Sequence, residues 1–146
     1  MVDLVDVVRI ALEESRVGTI GELFGQPNKP TWTPAELVAG CTGLPGVAGA
    51  MIALQDGLLV ASSLPPLDGK IDTLAAFVPQ IFGRMNQYSK ELKFGEVQVI
   101  SFAVERGTLA IFRAGVIYFA ALVKPGQPVP MPELNLVAVE LSRHSK

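Results

Sequence analysis

Few side chains in this sequence could carry out covalent or metal chemistry, and each has a plainer role to fill. Cys41 is the only cysteine and His144, near the C-terminus, the only histidine. A nucleophilic thiol needs an activating base or an electropositive setting. Cys41 instead ends an uncharged helical stretch, so a small buried core thiol is its expected state. A single cysteine makes neither an internal disulfide nor a CxxC zinc site. Gly40, Gly43, Gly46 and Gly49 are spaced like a phosphate cradle, but they do not match GxxxxGK[ST] and run into a strand rather than a helix N-terminus. Asp68 and Asp72 could form an acid/base or cation-binding pair. At the start of a long helix they serve instead to cap it or complement its dipole. Met51, Met85 and Met131 are scattered and read as filler. The expectation is no catalytic residue, no cofactor and no metal.

Two features point to binding instead. Trp32, the only tryptophan, lies in a proline-rich stretch, where it either folds back as an apolar anchor or docks a partner; the anchor is favoured. Farther on, a long amphipathic helix places Phe77 and Phe82 beside Gln80, Gly83, Arg84, Asn86 and Gln87. Aromatics ringed by amides and an arginine suit a protein interface; a merely solvated helix side is the competing reading.

The whole composition agrees with binding rather than chemistry. The chain has 146 residues, one domain's worth, with 49% hydrophobic and 18% charged residues, enough to bury a core. Twelve Lys and Arg against 14 Asp and Glu leave a net charge of −2, which argues against a nucleic acid or anionic membrane as partner. Mean hydropathy is +0.40, and Leu37 to Gln55 is uncharged over nearly a spanning length. Pro45 and four glycines interrupt that stretch, so a helix, a turn and a strand are expected and no membrane insertion. Acidic residues near the N-terminus are unlike a secretory signal, making the cytoplasm the default location.

The elements that must position the binding residues follow from periodicity. Leu4, Val8, Ala11 and Leu12 fall at helical spacing, and Ile20, Leu23 and Phe24 suggest a further short turn of helix. Gly25 to Thr33 reads as a linker, giving an N-terminal helical extension over 1–33 and the domain proper over 34–146. Thr33-Pro34-Ala35-Glu36 opens a helix with a capping box. Val47–Leu54 and Leu58–Ser63 form a hairpin around Asp56-Gly57, whose favoured turn places both residues at positive φ. The long helix spans Ile71 to Phe94, with Leu74, Val78, Ile81, Met85, Tyr88 and Leu92 as its core stripe and Pro79 bending its first half. Val97–Val104, Thr108–Arg113 and Val116–Val123 make a meander, the last strand apolar throughout and therefore central. A final helix starts at Pro132-Glu133 and turns Leu134, Val137, Ala138 and Leu141 to one side. The fold class is α+β, in the order α-β-β-α-β-β-β-α, with one five-stranded antiparallel sheet.

Gly46–Ser62 (GVAGAMIALQDGLLVAS), Leu74–Glu96 (LAAFVPQIFGRMNQYSKELKFGE) and Leu109–Pro130 (LAIFRAGVIYFAALVKPGQPVP) together resemble bacterial members of the roadblock family, the dynein light-chain type of domain. The likeness runs from about Pro34 to Ser142. It implies a profilin-like fold, the long helix on one side of the sheet and the terminal helices on the other. It also implies a homodimer, or a hetero-oligomer with other roadblock proteins, formed by pairing the third strand across a two-fold axis with the long helices side by side. Ile100, Phe102 and Phe77 are the expected dimer contacts. Many family members are non-enzymatic scaffolds or regulators of small Ras-like GTPases, docked on the paired helices. Bacterial gliding-motility regulators among them activate a GTPase without an arginine finger, so Arg84 is not expected to be one. Gln80, Arg84, Gln87 and Glu91 are the expected partner contacts. A sensory or ligand-binding profilin-like module, with a pocket flanked by Ser63 to Lys70, is the alternative. An enzyme built on Cys41 ranks third.

Overall fold

A computed structural model describes residues 19–66 and 70–144. The expected helix over 4–12 and Asp68 lie outside them. The elements are α1 (Ile20–Leu23), α2 (Pro34–Cys41), β1 (Val47–Leu54), β2 (Leu59–Ser62), α3 (Ile71–Glu91), β3 (Val99–Val104), β4 (Gly107–Ala114), β5 (Ile117–Val123) and α4 (Met131–His144). The strands form one antiparallel sheet in the order β2-β1-β5-β4-β3. This is the expected α+β, profilin-like arrangement.

Strand alternation divides the core in two. Ala50, Ile52, Ala110, Phe112, Phe119 and Ala121 face one way and pack under α2 and α4. Met51, Ala53, Leu109, Ile111, Tyr118 and Ala120 face the other and pack under α3. Covered on both faces, the central strands need apolar residues at consecutive positions, which explains the uninterrupted run in β5.

Thr33 and Glu36 close the expected capping box. Thr33 Oγ1 accepts from the Glu36 amide at 3.2 Å, and Glu36 Oε1 accepts from the Thr33 amide at 3.0 Å. The ammonium of Lys29 also donates to Glu36, and with the Thr33 bonds it lowers the carboxyl to about 2 from 4.5. Because the folded value is depressed, this contribution to stability is present above about pH 4.5 and lost as pH falls from there through about 2. Urea unfolding measured between pH 2 and 7 should therefore show the native chain losing more stability on acidification than Glu36→Gln; parallel curves would remove Glu36 from the account.

The β1–β2 turn departs from expectation. Gly57 takes φ +88, whereas Asp56 stays out of the positive-φ region. The Gly57 amide donates to Leu54 O, and Leu54 and Leu58 are bonded across the turn. A type I turn followed by a left-handed glycine gives this pattern, so only one positive φ is needed. Gly49 has a different constraint: a Cβ there would lie 2.4 Å from Ser63 O. The close approach lets the Ser63 hydroxyl donate to Val38 O at 2.6 Å and accept from the Ala50 amide at 3.0 Å, tying α2 to the sheet.

Trp32 folds back over the domain, as its anchor reading expects. It is 6% exposed within the α2/α4-side core, in edge contact with Phe24 at 5.4 Å, and Lys29 lies 4.9 Å from its ring centre.

Candidate interaction surface

The surface centres on α3. Lys70 caps its start without a side-chain bond, Asp72 sits in the first turn and Lys90 in the last, matching the helix dipole. The helix continues through Pro79 and ends at Glu91, before the expected Phe94, because Lys93 adopts φ +61. Ser89 Oγ then donates to Gly95 O at 2.7 Å, and Asn86 Oδ1 accepts from the Val97 amide at 2.8 Å, aiming the chain into β3.

Ala75, Val78 and Phe82 bear on the sheet. The expected core stripe is therefore corrected. Phe82, expected partly off it, is 1% exposed with its ring 5.3 Å from Tyr118, while Met85, Tyr88 and Leu92 are exposed. At 100° per residue, Phe77, Ile81, Met85, Tyr88 and Leu92 line a flank one step round from the buried seam. Phe77 and Tyr88 are each 51% exposed, and Phe94 continues the apolar surface past the helix end. The signal was in the sequence: the apolar arc of α3 is wider than a single buried seam requires.

Farther round the same helix stand Gln80, Arg84, Gln87 and Glu91, all exposed. Gln87 donates to Glu91 at 3.2 Å, so these amide and carboxylate groups form one outward polar row.

Among the described residues β3 is a terminal strand, paired only with β4. Phe102 lies opposite Leu109 and shares the α3-side face with half-buried Ile100. Phe102 is 37% exposed, and Val104 beyond it is exposed too. The structure thus places Ile100 and Phe102 together on one strand and Phe77 on the α3 flank above the same sheet face. Val104, Met85, Tyr88 and Leu92 are surface residues that sequence reasoning did not assign to it.

Cys41 and the glycine series lie apart from this surface. Cys41 is fully buried in the opposite core, and burial pushes its thiol up to about 12, leaving it protonated at neutral pH. Gly40 lies in α2 and Gly49 in β1, so the glycines do not converge on one helix start. Among the described residues no cluster of three or more His, Cys, Asp or Glu could hold a metal, and no helix is long and apolar enough to cross a membrane.

A five-stranded sheet carrying one long helix with an exposed apolar flank, and a strand edge beside the same face, is the profilin-like fold. The Roadblock/LC7 domain family matches residues 35–123, and the chain belongs to that family. Its members are generally regulators without enzymatic activity. Among solved structures, the gliding protein MglB from Thermus thermophilus is similar at 18% identity and a TM-score of 0.67, over 88% of this chain and 92% of that one. A Roadblock/LC7 domain from Streptomyces avermitilis is similar at 16% identity and 0.66, over 75% and 95%. An MglB with a tetrameric arrangement is similar at 20% identity and 0.65, over 78% and 91%. A comparison with curated proteins finds no match.

Proposed function

We propose that this chain is a non-enzymatic, cytoplasmic regulator that forms a two-fold homodimer and docks a small Ras-like GTPase on its paired α3 helices. The observation that carries the reading is the coincidence of an open β3 edge with an exposed apolar α3 flank over the same sheet face. A lone domain leaving both uncovered would present an aggregation-prone edge. Pairing β3 with β3 and α3 with α3 covers both at once, with Phe77, Ile100 and Phe102 in the contact. The row Gln80, Arg84, Gln87 and Glu91 then lies on the side of α3 turned from the sheet, about a quarter turn from the flank in the two-fold contact, available to the GTPase. The family resemblance supplies that class of partner, and the tetrameric MglB arrangement is in keeping with assembly.

The proposed domain proper spans 34–146, with 1–33 as its extension. The test is calorimetry with small Ras-like GTPases of the same cell, each loaded with GDP and with a GTP analogue. One of them should bind a dimer, and Arg84→Ala with Gln87→Ala should weaken it about tenfold or more. Absence of binding by every GTPase in both nucleotide states would overturn the reading.

A further inference from the structure

The exposed flank of α3 reads almost the same in both directions. Phe77, Ile81, Met85, Tyr88 and Leu92 follow one another at steps of four, four, three and four residues. Reflected about the midpoint between Arg84 and Met85, Phe77 falls on Leu92, Ile81 falls on Tyr88, and Met85 falls within one residue of itself. Two antiparallel copies of the helix, related by a two-fold axis at that midpoint, therefore set a large apolar side chain against another along the whole line. None of the five is charged, and the antiparallel arrangement brings opposite ends of the two helix dipoles together.

The surface left open matches what such a pairing needs. With about 200 Å² for a whole aromatic side chain, the exposed parts of this flank and of Phe94, joined by Phe102 and Val104 of β3, come to on the order of 700 Å². A stable interface takes about 800 Å² from each partner. This one face supplies most of that area.

We infer that α3 pairs with α3 of a second copy of this chain in one antiparallel register, with the two-fold axis passing at Met85. The inference rests on the dimer reading above and adds which residues meet: Phe77 with the partner's Leu92, Ile81 with the partner's Tyr88, and Met85 with its own copy. Methionine suits the axis, because an unbranched, flexible side chain can pack against itself where a rigid one would collide. The register also selects the partner. A different chain of the family would present its own order of large and small side chains to this flank, so the match is to a second copy rather than to a hetero-oligomer.

A single introduced cysteine reads out the axis. In an antiparallel pair a helical residue is offset from its own copy by twice its distance from the axis, about 22 Å along the helix for Phe77 and about 1.5 Å for Met85. A disulfide needs Cα atoms within about 7 Å. Cys41 is fully buried, so the introduced thiol is the reactive one, and Met85 is exposed, so its replacement leaves the core intact. Full-length Met85→Cys, oxidised with copper phenanthroline where light scattering finds the native chain dimeric, should run as a covalent dimer on a non-reducing gel. Its yield should exceed that of Phe77→Cys, Leu92→Cys or Glu91→Cys, each alone, about tenfold or more. Phe77→Cys combined with Leu92→Cys should cross-link as well as Met85→Cys does. A native dimer in which Met85→Cys cross-links no better than Glu91→Cys overturns the register and leaves the dimer reading standing. Efficient cross-linking of Phe77→Cys alone moves the axis to the start of the helix and overturns the register too. A native chain that is monomeric throughout overturns both.

Discussion

Replacing Phe102 with lysine should leave the chain monomeric at concentrations where the proposed native dimer persists. Phe102 projects from the α3-side face of an edge strand and is 37% exposed in the single chain, and the proposed pairing would bury it. In an antiparallel two-fold pairing every such residue enters the interface twice. A lysine there loses the apolar contact on both protomers and brings two like charges together, the device natural proteins use to guard an open edge. Loss of a hot-spot contact costs about 2 kcal/mol, and two copies raise the dissociation constant about a thousandfold. Light scattering after gel filtration should therefore return the single-chain mass near 15.5 kDa for Phe102→Lys and twice that for the native chain. The lysine should scarcely alter the helical circular dichroism, since the side chain is already partly in water. A dimeric Phe102→Lys would move the interface away from β3.

Phe82→Ala should produce the largest loss of stability of any single truncation under α3. Phe82 is among the largest fully buried side chains, packs its ring against Tyr118 and belongs to the same core cluster as Met51 and Ile111. Its removal deletes the transfer contribution of a whole ring and leaves a cavity that helix and sheet close only in part. The cost is about 3–5 kcal/mol, a midpoint about 10 °C lower in thermal unfolding. Phe77→Ala, only five residues away but on the exposed flank, should cost far less in the monomer and act on assembly instead. If the two variants unfold alike, the division of α3 into a buried seam and an exposed flank is wrong.

That division marks where the sequence stops being legible. Element order, the capping box at Thr33, the central place of β5 and the anchoring of Trp32 all follow from local rules: spacing, cap chemistry and uninterrupted apolar runs. The assignment of Met85, Tyr88 and Leu92 to the core failed because periodicity reports which residues are apolar on one side of a helix. It does not report whether the sheet below extends far enough to cover them. The polar row Gln80, Arg84, Gln87 and Glu91 is readable as a helix face, yet what it meets depends on a second molecule. An apolar cavity beside Trp32 was invisible for another reason: its walls come from residues between 32 and 141 that only the folded topology brings together. The turn at Asp56-Gly57 shows the smallest version of the same limit, since one dipeptide serves two turn geometries with different demands on aspartate.

The position of β5 governs the order in which the molecule can be made. The last strand to be synthesised is the middle of the sheet, and β1 and β4 meet only through it. Until Ile117 to Val123 is present, β1–β2 and β3–β4 exist as two separate hairpins, each short of a neighbour. Met51 waits for Ala120, a closure of about 70 residues that slows folding because loop entropy must be overcome before the contact forms. Chains interrupted just ahead of β5 would hold most of the apolar sequence and none of the completed sheet, making them the species that chaperones and proteases must intercept.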